Sequence, residues 1–377
     1  MSLRPTLAMF ALAGALTAEA QTTARARALG IPFDFGAPGP LDAITDVAGL
    51  EVGHVTLIEG AHVRTGVTAI LPRGKGPEAA VPVYAGVFSL NGNGEMTGVH
   101  WIEEAGLLEG PLMLTNTADV GVVRDAVMRY GARRFGPAAE LWTLPLAAET
   151  WDLHLSDMYG RHVTAEHAQR AIESAAGGPV AEGGVGGGTG MICFEFKGGI
   201  GTASRALDEA QGGYTVGVLV QANFGRRAQL RVAGLPVGRE LRGELVYSKD
   251  QGSIIVVVAT DAPLLPHQLK RLARRAGLGL ARTGSVAGNS SGDLFVAFST
   301  ANRPAGGQQP FAVRTLPPDA IDPLFEAVVG ATEEAIVNAL VAGRDMTGRA
   351  GHVVRGLPHA ELQAILRRHG VLQEPVR

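Results

Sequence analysis

The segment Ile254-Ile255-Val256-Val257-Val258-Ala259-Thr260 leaves the chain least freedom. Its residues are mostly β-branched, and none before Thr260 carries a polar side chain, so it reads as a strand without a solvent-facing side. Such a strand must sit centrally in its sheet, with apolar layers on both faces. A chain of 377 residues that is 46% hydrophobic can supply those layers. Aromatics are only 5%, so the packing has to be aliphatic, and 52 glycines allow close backbone approach and tight turns around sheets.

Shorter apolar runs at 67–71, 81–90, 111–114, 191–196 and 214–223 also read as strands, and Asn91-Gly92-Asn93-Gly94-Glu95 as a turn. Helical spacing marks 120–130, 164–176 with Thr164 as N-cap, 263–280 and 318–342. On the third of these, Lys270, Arg271, Arg274 and Arg275 read as a solvated face. The glycine-rich stretch 183–190 fits neither G-x-G-x-x-G nor a phosphate loop, because Thr189 stands where a lysine is needed. Strands outnumber helices, and each long helix is flanked by strands. The expected fold is therefore α/β (α+β), a four-layer α/β/β/α sandwich of two sheets with helices outside.

A net charge of −3 offers no basic field for a phosphate backbone, which argues against nucleic-acid partners. The lone Cys193 permits neither a disulfide framework nor a cysteine zinc site, and its apolar neighbours mark it as a core thiol. The ten histidines have no compact ligand spacing, so no metal and no cofactor is expected. Arg4, the apolar run 7–16 and Ala18-Glu19-Ala20 before Gln21 form the pattern of a cleaved secretory signal over residues 1–20. That run is too short for a permanent span and no later stretch is long enough, so the expected protein is periplasmic, with no membrane partner.

Ser253 opens the apolar strand, directly after the polar stretch 243–252. A Gly-Ser pair before a strand is common, but here it has a specific chemical use. Gly252 lacks a Cβ, so its carbonyl can be held in a strained geometry within reach of the next hydroxyl. Attack by Ser253 would convert that peptide bond to an ester, and hydrolysis would free an N-terminal Ser253. A terminal amine, with a reference pKa of about 7.7–8.0, can serve as base for its own hydroxyl. In Gly288-Asn289-Ser290-Ser291-Gly292-Asp293, Ser291 and Asp293 are two apart and share one side of an extended chain. The pair is either a proton relay or an Asx/Ser turn entering a strand.

The strings Glu149-Thr150-Trp151-Asp152, Gly188-Thr189-Gly190-Met191, Lys197-Gly198-Gly199-Ile200-Gly201-Thr202-Ala203-Ser204-Arg205, Val220-Gln221-Ala222-Asn223-Phe224-Gly225 and the segment 252–264 occur in this order. Together they resemble the self-processing aminopeptidase family that includes the L-aminopeptidase/D-amino-acid amidase-esterases and the β-peptidyl aminopeptidases. The resemblance covers about 31–352. It implies a fold like that of N-terminal nucleophile hydrolases with different connectivity, and cleavage between Gly252 and Ser253. The fragments 21–252 and 253–377 would form one domain, and such αβ units a homo-oligomer. It implies Ser253 as nucleophile, Ser291 and Asp293 as supporting serine and acid, and Asn223 as oxyanion donor. Some members carry glutamate at the acid position. Glu149 would hold the free amine of a small peptide, amide or ester substrate, with Trp151 beside it or packed into the core. The base is either the Ser253 amine or the Ser291–Asp293 pair. A self-cleaving acyltransferase of the ornithine acetyltransferase type is a rival, although those enzymes use threonine as nucleophile. A non-enzymatic binding protein on the same fold is another.

Overall fold

A computed structural model describes residues 24–136, 143–247, 251–304 and 306–373; the expected signal segment lies outside the described residues. The first half of the chain folds as β1 (Glu51–Glu59), β2 (Val63–Leu71), β3 (Val83–Gly92), α1 (Val99–Ala105), β4 (Leu107–Leu108), β5 (Leu112–Asn116), α2 (Val120–Phe135), β6 (Ala147–Thr150) and α3 (Ala165–Ser174). The second half adds a short hairpin of β7 (Ile192–Cys193) and β8 (Phe196–Lys197), then β9 (Gly199–Ala206), β10 (Thr215–Asn223), β11 (Gly252–Thr260), α4 (Pro266–Arg282), β12 (Ser291–Ser299) and α5 (Asp322–Ala342). The ribbon β13 (Met346–Thr347) with β14 (Val353–Val354) and helix α6 (His359–Arg368) complete the chain.

Two sheets carry the fold. One has the order β1-β2-β5-β6 and the other β4-β3-β12-β11-β10-β9. The apolar run occupies β11, between antiparallel β10 and parallel β12. Its residues alternate between two cores, as a fully covered strand must. Ile254, Val256 and Val258 pack toward α4 and α5, with Leu272 and Ile336. Ile255, Val257 and Ala259 pack toward the other sheet, with Ile70, Leu114 and Ala148. A third core joins β1, β2 and β5 to α2 and α3 through Val67, Met113, Val127 and Ile172. The order of layers is thus α2/α3, small sheet, large sheet, α4/α5, the expected four-layer sandwich.

Several local readings need correction. Residues 191–196 are not one strand but the β7–β8 hairpin, reversing at Phe194 and Glu195, which have φ of 49° and 62°. An apolar run does not reveal a reversal made by two non-glycine residues in the left-handed region. Strand β3 continues through Asn91 and Gly92, which pair with Asp293 and Gly292, so the turn begins later than expected. Asn91 and Asn93 instead donate side-chain bonds to the carbonyls of Gly288 and Ser290, at 2.6 and 2.9 Å, and so hold the loop before β12. The basic face of α4 is only partly solvated: Lys270 pairs with Glu103, while Arg271 and Arg275 lie over Phe325 and Arg274 over Phe88. Cys193 is a fully buried core thiol, as expected.

Helix α5 lies so close to β9 that a Cβ on Gly201 would fall 1.9 Å from the Ala335 carbonyl oxygen. Gly201→Ala must push the helix off the sheet and is expected to cost about 1–3 kcal/mol, the usual range for overpacking. Gly131→Ala, in α2 where a Cβ meets nothing within 4 Å, is expected to stabilise by about 0.5–1 kcal/mol. Thermal melts of the two variants should therefore move in opposite directions.

Candidate active site

Three adjacent strands of the large sheet meet at one edge. In their registers Asn223 of β10 faces Ser253 of β11, and Ser253 faces Gly292 of β12. The Ser253 side chain is buried, and its Oγ accepts the Gly292 N–H at 3.1 Å. Next to it, Ser291 Oγ donates to Asp293 Oδ1 at 2.7 Å, with both residues buried. The shorter aspartate therefore reaches its serine, and the two side chains share one side of the strand as their spacing predicts.

Asn223 is held at both ends of its amide. Oδ1 accepts the Ile192 N–H at 2.7 Å, and Nδ2 donates to the Trp151 carbonyl at 2.8 Å. A donor at one end and an acceptor at the other fix which end is nitrogen. One Nδ2 hydrogen serves Trp151, and the residue stands opposite Ser253 in the strand register.

The bond ahead of Ser253 begins at Gly252, with φ of 118°. A Cβ there would lie 1.8 Å from the Asn223 carbonyl oxygen. Positive φ and backbone contact together restrict this position to glycine.

The opposite wall comes from the small sheet. Glu149, in β6, is 4% exposed. Its Oε1 accepts the Glu95 N–H at 2.9 Å, and its Oε2 accepts the Thr117 hydroxyl. Burial raises the Glu149 pKa above the ordinary carboxylate value, and the Thr117 and Glu95 hydrogen bonds pull it partly back. Among the described residues no side-chain cation pairs with it. Trp151 follows β6 and is half-buried on the cleft wall rather than in the core. Glu149, Trp151, Gly252 and Ser253 line one open cleft of about 400 Å³. A smaller, more enclosed apolar cavity beside Leu71 and Val127 contains none of these groups.

All the residues singled out from the sequence thus converge on one edge of the sandwich. Sequence reasoning missed Thr117, Asn93 and Ser290, which also line the cleft. Thr117 had a weak signal, the polar cluster Thr115-Asn116-Thr117 closing an apolar strand. The arrangement offers a buried hydroxyl at the head of a rigid strand, an oriented amide, a hydroxyl–carboxylate pair and a second carboxylate that no cation of the described residues meets. That set suits acyl transfer on a substrate carrying a positive charge.

The comparisons with known proteins agree. Peptidase family S58 matches residues 42–354. The chain is 54% identical to "Beta-peptidyl aminopeptidase BapA" of Sphingosinicella microcystinivorans, over 95% of each chain. It is 47% identical to the protein of the same name from Sphingosinicella xenopeptidilytica, over 91% of each. Among solved structures, a β-aminopeptidase of a Burkholderia species superposes with a TM-score of 0.87 at 52% identity, covering 92% of this chain and 99% of that one. The L-aminopeptidase D-Ala-esterase/amidase of Ochrobactrum anthropi, described as a prototype of the serine aminopeptidases and a variant of the Ntn hydrolase fold, gives the same TM-score and coverages at 47% identity. On this evidence the chain belongs to peptidase family S58 and is a serine aminopeptidase.

Proposed function

We propose that the chain activates itself by cleavage between Gly252 and Ser253 and then removes single N-terminal residues through a Ser253 acyl-enzyme. The observation that carries this reading is one cleft lined by both Ser253 and the buried carboxylate Glu149, with Asn223 opposite Ser253 in the strand register. In the processing step Ser253 Oγ adds to the Gly252 carbonyl carbon, and the bond from that carbon to the Ser253 nitrogen breaks. The hydroxyl proton passes to the departing nitrogen. Water then hydrolyses the ester, leaving a carboxylate on Gly252 and a free amine on Ser253. The two fragments, 21–252 and 253–377, remain one domain.

In turnover the substrate's ammonium pairs with Glu149, which sets the register so that only the first residue is removed. Ser253 Oγ attacks the scissile carbonyl, and Asn223 Nδ2 stabilises the oxyanion, a contribution of about 10²–10³ in kcat for a donor of this kind. The Ser253 amine or the Ser291–Asp293 pair takes the proton and returns it to the leaving amine. The names of the relatives favour peptides with an N-terminal β-amino acid as first substrates, with L-peptides and D-amino acid amides or esters as the alternatives. Residues 1–20 serve as an export signal, and the mature αβ units assemble as a homo-oligomer in the periplasm.

Mass spectrometry of the purified protein tests the processing step. The active protein should give two fragments meeting at Gly252 and Ser253, and Ser253→Ala one inactive chain; a single intact chain in fully active enzyme would refute the scheme. A panel of β-homoamino-, L- and D-aminoacyl p-nitroanilides then ranks the substrates.

Glu149 makes a pH-dependent prediction. The ammonium requires the ionised carboxylate, and burial raises the Glu149 pKa, so binding is lost as pH falls through that raised value. The acid limb of kcat/KM for free-amine substrates should lie above the ordinary carboxylate range. Glu149→Gln should remove that limb and lower kcat/KM by about 10²-fold, the scale of a lost charge pair of about 2–3 kcal/mol. Equal activity on N-acetylated and free-amine amides would exclude the role.

A further inference from the structure

Lys197 is a buried cation without a visible task in the reaction. Its side chain is fully buried at the end of the β7–β8 hairpin. Nζ donates to three backbone carbonyls, Met191 at 2.8 Å, Gly198 at 2.8 Å and Gly188 at 3.2 Å. No carboxylate of the described residues pairs with it; its nearest titratable neighbour is the Cys193 thiol, which burial keeps protonated. Burial pulls the lysine down to about 7, but three carbonyl acceptors match the three donors of an ammonium and exceed those of a neutral amine.

The Met191 carbonyl that accepts from Lys197 belongs to the same peptide unit as the Ile192 N–H. That N–H is the donor that holds Asn223 Oδ1 at 2.7 Å. A positive charge thus sits on the oxygen of one amide, whose N–H sits on the oxygen of a second amide, that of Asn223, which stands opposite Ser253 in the strand register. Hydrogen bonds in such a series polarise one another in the same sense. The ammonium also fixes the hairpin that presents Ile192.

We infer that Lys197 is a positioning residue for the aminopeptidase reaction, acting through the Met191–Ile192 peptide to orient Asn223 and strengthen its side-chain N–H as a donor. The inference rests on Asn223 being the oxyanion donor. Lys197 touches no substrate, and its contribution exists only while Asn223 is present.

A double-mutant cycle separates the two claims. Steady-state kinetics, normalised to processed sites counted by mass spectrometry, are measured for wild type, Lys197→Met, Asn223→Ala and the double variant. Lys197→Met is expected to lower kcat by about 3- to 30-fold, a fraction of the whole oxyanion effect, with KM within about twofold. In the Asn223→Ala background it should cost nothing further. An equal loss in both backgrounds, or a change confined to KM, overturns the inference while leaving the oxyanion reading intact. An Asn223→Ala enzyme with full kcat overturns both. If a variant stays unfolded or unprocessed, the wild-type protein labelled with 15N-isoleucine decides. The Ile192 amide proton should resonate downfield of ordinary buried amides and exchange slowly. A fast-exchanging Ile192 amide at an ordinary shift would overturn the relay.

Discussion

Burial of β11 on both faces is the constraint from which the site follows. A strand whose residues alternate between two dry cores cannot slip in register, because a shift by one residue would exchange Ile254, Val256 and Val258 with Ile255, Val257 and Ala259. Fixing that register fixes Ser253 at the strand's head, opposite Asn223 on one neighbour and Gly292 on the other. The groups proposed to react are thus held by main-chain pairing rather than by loops, which is how a site gains sub-ångström placement. The mixed sheet has a further consequence. Antiparallel β10 ends where β11 begins, whereas parallel β12 begins where β11 begins. One strand therefore offers its last residue and the other its first to the same point.

The site draws on both sheets. The large sheet supplies neutral donors and acceptors around Ser253 and the Ser291–Asp293 pair, while the small sheet supplies Glu149. A carboxylate buried with only neutral donors remains short of a counter-charge, which on the proposed mechanism a substrate ammonium supplies. Glu334 shows the opposite arrangement: fully buried, it is bound by Arg27 at 2.6 Å and Arg205 at 2.8 Å. Glu149 has no such partner among the described residues, and unlike Glu334 it lines an open cleft.

Much of this was legible from residues. The apolar run announced a doubly covered strand, and the Ser291–Asp293 spacing announced a shared face. The layer order followed from helices flanked by strands. What could not be read has physical causes. Reversal at Phe194 and Glu195 uses left-handed residues that carry no turn composition. The arginines of α4 lie across Phe88 and Phe325, which are distant in sequence, and no pattern within the helix reports it. Lys197 appeared only as one letter of a family string. Its three carbonyl partners depend on a hairpin and a glycine-rich loop folding around it.

The inter-sheet core also bears on how long a substrate the site can accept. Glu149 and Ser253 belong to different sheets, so the separation between the proposed ammonium site and the proposed nucleophile is set by how those sheets pack. Leu114, Ala148, Leu219 and Ile255 fill that interface near the site. Protein cores resist small changes in volume. On the proposed mechanism the distance from ammonium to scissile carbonyl is therefore a property of the sandwich, and a substrate with one more backbone carbon before its carbonyl would have to be matched by that packing rather than by loop adjustment. If Glu149 and Ser253 act as proposed, selection between α- and β-amino acid substrates would reside in buried aliphatic residues between the sheets as much as in the side chains that line the cleft.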